Sequence, residues 1–222
     1  MNPSMNRHSH ASHSMPSSPL HRALLSAAAI ATLLLAGCSV LPSQEPTDVY
    51  RLPAAEQPAA TAPAVSWSLR VATPRAGGAT SSRRIVVLPE GDRLSVYQGA
   101  SWSDPGPVLL RDRLIEAFRS DGRIPAVTSD DNALQADYLL DSDLGVFRSE
   151  YRDGKPEVLI RLDARLVAPD SQRVLVTRRF EVRQPVAGKD VPEVVRAFGA
   201  AADRLSTELL SWTLQEAASR SR

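Results

Sequence analysis

The side chain with the clearest chemistry in this sequence is Cys38, the only cysteine among 222 residues. It follows fourteen uncharged, mostly apolar residues, 24–37, which come directly after a short basic flank. A helix of that length reaches roughly 21 Å, whereas the hydrocarbon core of a bilayer is about 30 Å thick. The stretch is therefore predicted to be the core of a secretion signal rather than a permanent membrane span.

The last four residues of this stretch, Leu35-Ala36-Gly37-Cys38, resemble the bacterial lipobox. In that motif a thiolate is alkylated by diacylglycerol, and the peptide bond before the cysteine is then cut. We therefore expect cleavage between Gly37 and Cys38, with lipid attached to Cys38 as the first mature residue. Ser39 follows, which by resemblance favours the periplasmic face of the outer membrane, with the inner membrane as the alternative. A buried structural cysteine is the alternative to the lipobox.

The predicted cleavage leaves a mature chain without several reactive types of side chain. All four histidines and all three methionines precede Cys38, so the mature chain would contain neither. Histidine catalysis and histidine metal sites are thereby excluded, and an acylated thiol forms no disulfide. The mature chain would carry 24 basic and 25 acidic residues. We predict no catalytic residue, no metal, no cofactor and no general attraction to nucleic acid.

Other polar patterns in the sequence are weak. Residues 141–145, Asp-Ser-Asp-Leu-Gly, resemble part of a calcium loop, but the closing Glu is missing and the stretch lies in a predicted strand. A solvated strand face is therefore expected there. Two basic pairs, at 83–84 and 178–179, are predicted to lie on solvated faces, with contact to a lipid headgroup or a partner as the alternative. Trp102 is expected either to anchor a loop in the core or, with Tyr50, to contact a partner.

Composition divides the chain into four parts. Residues 1–37 are the predicted lipoprotein signal peptide, and 38–66 form a tether rich in proline and alanine that starts at the lipidated Cys38. Residues 50–52 interrupt this tether and are a candidate edge strand. A single folded domain is expected over 67–216, followed by a polar tail at 217–222.

Hydrophobic periodicity predicts an α+β domain in the order β-β-β-α-β-β-β-α. The predicted strands are 69–71, 84–88, 93–98, 136–151, 157–168 and 173–183, the last three forming an antiparallel meander. One helix is expected between Pro105 and Gly122, and a second begins with a capping box of Asp190 and Glu193. We expect a mainly antiparallel sheet with both helices on one face. The apolar stripe of the last helix should cover this sheet, with a partner or oligomer helix as the alternative.

Several of these segments together resemble one family, the ABC-type transport auxiliary lipoproteins, also called PqiC-like or membrane integrity-associated transporter subunits. The resemblance covers residues 50–213 and is carried by Tyr50-x-Leu52, Arg84-Ile85-Val86-Val87, Leu94-Ser95-Val96-Tyr97, Trp102-Ser103-Asp104-Pro105, Ala136-Asp137-Tyr138-Leu139-Leu140, Arg179-Phe180 and Trp212. It implies a periplasmic accessory subunit of an MCE-type lipid transport system that supports envelope integrity.

The resemblance also implies the partners of the chain: an ATPase, a permease and a membrane-anchored MCE-domain protein, together with the membrane itself through the acyl chains on Cys38. It implies no catalytic residue. A homo-oligomer remains an open alternative. A structural or assembly-helper lipoprotein of the outer membrane is the alternative function, and a hydrolase is disfavoured because the mature chain has no histidine.

Overall fold

The computed structural model of the chain describes residues 46–55 and 60–220. The predictions for the signal peptide, the cleavage position at Gly37 and the lipid attachment at Cys38 fall outside these residues. Within them lie eight strands, β1 (Asp48–Tyr50), β2 (Leu69–Val71), β3 (Arg84–Glu90), β4 (Arg93–Trp102), β5 (Val127–Ser129), β6 (Tyr138–Arg152), β7 (Lys155–Ala168) and β8 (Arg173–Pro185). The helices are α1 (Gly106–Asp121) and α2 (Val191–Ala218), and short 3-10 turns cover Gly78–Ser81 and Pro169–Ser171.

The three long strands β6, β7 and β8 form the predicted antiparallel meander. The turn from β6 to β7 consists of Asp153 and Gly154, both with positive φ, as a two-residue hairpin turn requires. Ile160 at the centre of β7 lies opposite Phe147 of β6 and Val182 of β8. This register puts the apolar positions of all three strands on one face.

The second edge of β6 is shared by two shorter strands that both run parallel to it. β2 pairs with the beginning of β6, and β3 pairs near its end, at Ser149 and Glu150. β5 extends the sheet beyond β2, while β4 and then β1 extend it beyond β3. The α+β class is confirmed. Pairing is antiparallel between β3 and β4 and along β6, β7 and β8, whereas β1 pairs in parallel with β4, β2 with β5 and β6, and β3 with β6.

Both helices belong to a single apolar cluster with the sheet. In β7 the even-numbered residues from Val158 to Leu166 join this cluster, together with the apolar stripe of α2. The stripe of α2 therefore covers the sheet of its own domain. Phe198 of α2 packs on Trp102 and Phe147, with ring centroids 5.1 Å and 4.8 Å away.

The ends of the two helices agree only in part with those predicted from the sequence. Gly122 ends α1 in the left-handed conformation with φ 78°, as predicted. The capping box predicted for α2 is wrong, because the Asp190 side chain makes no cap hydrogen bond. Glu193 instead accepts a hydrogen bond from Arg196 at 3.3 Å. α2 also continues to Ala218, so the first residues of the predicted tail are helical.

The described part of the predicted tether packs on the domain. β1 pairs in parallel with the end of β4, and Ser103 N–H donates to the Tyr50 carbonyl at 2.7 Å. The next residues lie along α2, where Ala55 N–H donates to an Asp203 carboxylate oxygen at 3.0 Å. Further on, Val65 N–H donates to a carbonyl beyond the end of α1. The folded chain thus begins upstream of residue 67.

Within the described residues, no helix has both the length and the apolar character needed to cross a membrane.

Candidate interaction surfaces

The two aromatic residues predicted as partner contacts differ in exposure. Trp102 is only 1% exposed and is enclosed by Phe147 and Phe198, so it anchors the core and offers no surface to a partner. It is the last residue of β4, and the turn into α1 follows it directly. Tyr50 of β1 lies opposite Trp102 and is half-buried against the same cluster.

The sheet face opposite the helices, here called the outer face, carries ion pairs at the centre of β6 and β7. Arg75 and Arg165 approach two aspartates of β6 from either side. Arg75 donates to Asp141 and Asp143 at 2.9 Å each, and Arg165 donates to the same two carboxylates at 2.9 Å and 2.5 Å. The two carboxylates in the segment that resembled a calcium loop are thus bound by guanidinium groups. They lie on the face of a strand and do not form a metal-binding loop.

These pairs also set the ionisation of Asp143. Burial by itself disfavours the charged carboxylate, but the hydrogen bonds from Arg75 and Arg165 outweigh it, and the pKa of Asp143 is lowered below its ordinary value. The side chain therefore stays ionised at neutral pH. An ionised carboxylate held by two arginines cannot act as a general acid.

A second group of ion pairs lies on the outer face near the β6–β7 turn. Arg183 of β8 donates to Glu150 at 2.7 Å and to Glu157 at 2.6 Å, which joins three neighbouring strands. Burial opposes ionisation of Glu150, yet the hydrogen bonds from Arg183 and Arg148 lower its pKa. Leu159 lies between Arg148 and Arg183 in the register and is 1% exposed. The apolar stems of the arginines account for this burial on a charged face.

The predicted basic pairs have different surroundings. Arg179 pairs with Asp163 at 2.7 Å, and the Arg178 guanidinium lies 4.8 Å from the ring centre of Phe180. Arg83 donates to the Trp102 carbonyl at 3.2 Å. Arg84, at the start of β3, makes no ion pair with any other described residue.

A groove of about 680 Å³ lies at the end of the sheet where β6 begins and β7 ends. It is lined by Ser66, Trp67, Asp137, Tyr138, Ala168, Arg173, Val174, Leu175 and Arg220. Trp67 and Tyr138 form one aromatic wall, with an edge-to-face contact at 5.2 Å. Such an amphipathic groove suits an apolar group that carries a polar or negatively charged end.

Local sequence patterns do not predict this groove, because its walls come from five separate segments. Asp137 beside it is already bonded: Ser68 donates to its carboxylate from both its hydroxyl and its backbone N–H at 2.7 Å. The Ser68 hydroxyl bond is the main reason that the pKa of Asp137 is lowered. Among the described residues, no group of three or more His, Cys, Asp or Glu side chains is placed to hold a metal ion.

Comparison with known proteins identifies the family. A model of the ABC-type transport auxiliary lipoprotein component matches residues 50–209. The chain belongs to this family. Its members are transport auxiliary lipoproteins, which are associated with a membrane on its periplasmic side and with ABC transport, and they are not a known enzyme family.

Individual relatives agree with this assignment. The crystal structure of protein XCC0632 from Xanthomonas campestris, of family DUF330, is 35% identical with a TM-score of 0.73, over 79% of this chain and 99% of that one. A second crystal structure, of an uncharacterized protein, shares the fold at 17% identity, with a TM-score of 0.60 over 76% of this chain and 99% of that one. The protein bll6063 of Bradyrhizobium diazoefficiens is 32% identical over 78% of this chain. This chain spans about half of that curated relative, 46% of its length.

Proposed function

We propose that this protein is a lipid-anchored periplasmic accessory subunit of an MCE-type ABC transport system for lipids, and that it contributes to envelope integrity. The observation that carries the proposal is the family match over residues 50–209, which includes nearly all of the described fold. The predicted lipobox at Cys38 supplies the anchor, and Ser39 favours the outer membrane. An ATPase, a permease and a membrane-anchored MCE-domain protein are the partners.

The described side chains support a binding role. The carboxylates on the outer face are held by arginines, and Asp137 beside the groove is bonded to Ser68. Groups engaged in this way have stable charges and positions, which suits recognition of a partner.

Purification of the tagged full-length chain from cross-linked membranes tests this proposal. We expect an MCE-domain protein, a permease and an ATPase to be captured together with it. Deletion of the gene should raise the permeability of the envelope to detergents, and the wild-type gene should restore the barrier. Cys38→Ser is expected to remove the acyl chains, and a variant of normal abundance should then fail to restore it.

Two results would count against the proposal. If palmitate still labels the Cys38→Ser protein, the anchor has been assigned to the wrong residue. If the acylated chain captures none of the three transport components and its deletion leaves lipid distribution unchanged, a structural or assembly-helper role replaces the transport role.

A further inference from the structure

The position of β1 limits how far the domain lies from the predicted anchor. Asp48, the first residue of β1, is fixed in the sheet opposite Ala100 of β4. Cys38 is ten residues earlier in the sequence. At most about 3.5 Å per residue, this segment spans roughly 35 Å when fully extended. A domain whose anchored chain joined it only at residue 67 would have about three times that reach.

The direction of β1 also shows from which end of the sheet the anchored segment enters the fold. β1 runs parallel to β4, so the chain that enters β1 comes from the side of the β3–β4 turn. From Ala100, β4 extends six residues toward that turn as far as Leu94, roughly 20 Å. The anchored segment can therefore span the distance from β1 to the turn with length to spare.

A strip of mostly apolar side chains lies on the outer face between these two points and is here called the hairpin patch. It consists of the apolar residues Val49, Leu88, Leu94 and Val96 together with the charged Arg84. The register places Val49 in a row with Ser101 and Arg84, and Val86 lies opposite Val96. Two members are unusually exposed for apolar residues, Val49 at 60% and Leu94 at 55%.

The hairpin patch differs from the rest of the outer face. On β6, β7 and β8, the arginines of the outer face are matched with carboxylates in ion pairs. Arg84 makes no ion pair with another described residue. The turn adds the acidic Glu90 and Asp92 and the basic Arg93, which together carry a net negative charge. This charge offsets the attraction of Arg84 to anionic lipid. Apolar contact and the nearby anchor, rather than net charge, would hold this surface at a membrane.

We infer that the hairpin patch rests in the headgroup region of the same membrane that holds the acyl chains of Cys38. The inference depends on the lipid anchor in the proposed function and goes beyond it, because it states which face of the domain is turned toward the bilayer. The groove between β6, β7 and β8 then lies at the other end of β6, directed away from the lipid and accessible to a partner.

Site-specific fluorescence on the full-length acylated protein tests this orientation. Since the native thiol is acylated, a single cysteine introduced by Leu94→Cys is the only one that accepts a thiol-reactive NBD probe. Val174→Cys is the matched control, because Val174 is also apolar and 49% exposed but lies at the far end of the sheet, in β8. The proteins are reconstituted in phosphatidylethanolamine–phosphatidylglycerol vesicles with phosphatidylcholine spin-labelled near the top of its acyl chain.

The Leu94→Cys probe is expected to lose most of its emission to the spin-labelled lipid and to shift to the blue, while the Val174→Cys probe keeps its emission. Equal quenching at both positions, or none at Leu94→Cys in acylated protein, overturns the inference. A disulfide-linked dimer through Leu94→Cys in these vesicles also overturns it and assigns the patch to a second copy. Mass spectrometry separates the two proposals: a chain without acyl groups refutes the anchor itself, and this orientation with it.

Discussion

At the scale of single residues, the most consequential charge is the guanidinium of Arg113 in α1, which is 4% exposed. It donates from Nε to Asp203 of α2 at 2.6 Å, and its Nη2 also contacts that carboxylate. The same carboxylate accepts the Ala55 N–H from the chain that follows β1. One aspartate thus joins α1, α2 and the segment after β1.

Asp203→Ala should lower the free energy of unfolding by about 3–5 kcal/mol, because it leaves a buried guanidinium with only the exposed Glu116, 3.3 Å away, as a partner. The double replacement Arg113→Met and Asp203→Leu should recover much of this loss, since no buried charge is then left unpaired and Glu116 is exposed to solvent. Urea unfolding of the wild-type protein, Arg113→Met, Asp203→Leu and the double variant, which together form a double-mutant cycle, measures the coupling. As a control, Arg196→Ala, which breaks an exposed pair on α2, should cost under about 1 kcal/mol. An equal loss of unfolding free energy for Asp203→Ala and Arg196→Ala would show that burial of the ion pair does not matter here.

Trp102 gives a second prediction at this scale, because its burial separates a role in the core from a role in binding. Trp102→Ala should destabilise the fold by about 3–5 kcal/mol, through loss of packing on Phe147 and Phe198. Thermal unfolding followed by circular dichroism measures this, with Leu94→Ala as an exposed control expected to change little. An unchanged melting temperature together with weaker partner capture would restore Trp102 to the surface role that its burial contradicts.

At the scale of elements, the packing of the segment after β1 on α2 depends on a glycine. A Cβ at Gly199 would lie 2.8 Å from the Pro53 carbonyl oxygen and 3.0 Å from the Pro53 Cβ. In an open helix, Gly→Ala would be stabilising by roughly 0.5–1 kcal/mol. Here the methyl group meets backbone, so residues 50–55 must move away from α2.

Gly199→Ala should therefore expose the segment while α2 keeps its helical content. Limited trypsin digestion at Arg51 is expected to become faster than in the wild-type protein, and the Ser103 N–H, which donates to Tyr50, should exchange its hydrogen sooner. Ala200→Ser, on the exposed side of the same turn, serves as the control. Unchanged cleavage at Arg51 would show that the helix tolerates the methyl group without displacing β1.

The sequence predicts the long elements well and the short ones poorly. β7 and β8 begin within two residues of their expected positions, because each has a hairpin or turn signal and alternating apolar residues. β5 has three half-buried residues and no alternation, so nothing in its pattern predicted a strand. β1 lies in a proline-rich segment, where the candidate edge strand was predicted at residues 50–52, two residues later than the observed strand. Both short strands pair in parallel with strands far away in sequence, and such pairing produces no pattern in the residues of the strand itself.

The surfaces were less predictable than the fold for the same reason. Asp141 and Asp143 alternate on one face of β6, which the sequence shows, but their partner Arg75 comes from a loop held beside β6 through a bridge to Asp143. The walls of the groove likewise meet only after residues 66–67, β6, β7, β8 and the residues that follow α2 have packed together. Ion pairs and cavities depend on which distant segments lie side by side in the folded chain, and local sequence patterns do not show this.

At the scale of the whole molecule, the paired carboxylates make stability depend on pH. Asp143 and Glu150 have pKa values below their ordinary values in the folded protein. Groups of this kind contribute stability above the unfolded-state pKa, about 4, and the contribution is lost as the pH falls through the folded pKa. The free energy of unfolding should therefore stay nearly constant between about pH 7 and pH 5 and decrease below about pH 4.

Arg183→Met tests the origin of this acid sensitivity, because it removes a donor to Glu150. The variant should be less stable at pH 7 and should lose less on acidification than the wild-type protein, since the pKa of Glu150 would lie nearer its unfolded value. Urea unfolding at a series of pH values measures both slopes. Parallel curves for the two proteins would place the acid sensitivity elsewhere in the chain.

The attachment of β1 to the sheet has a mechanical consequence. When a partner pulls the domain away from the membrane, tension from the proposed anchor on Cys38 reaches β1 first. β1 is three residues long, whereas the antiparallel strands behind it run for 13–15 residues, so β1 should detach while the sheet remains folded. Releasing the docked residues 46–55 adds up to roughly 35 Å of chain. The docked segment thus keeps the domain close to the lipid when no force acts, and it lengthens the tether between domain and membrane when force is applied.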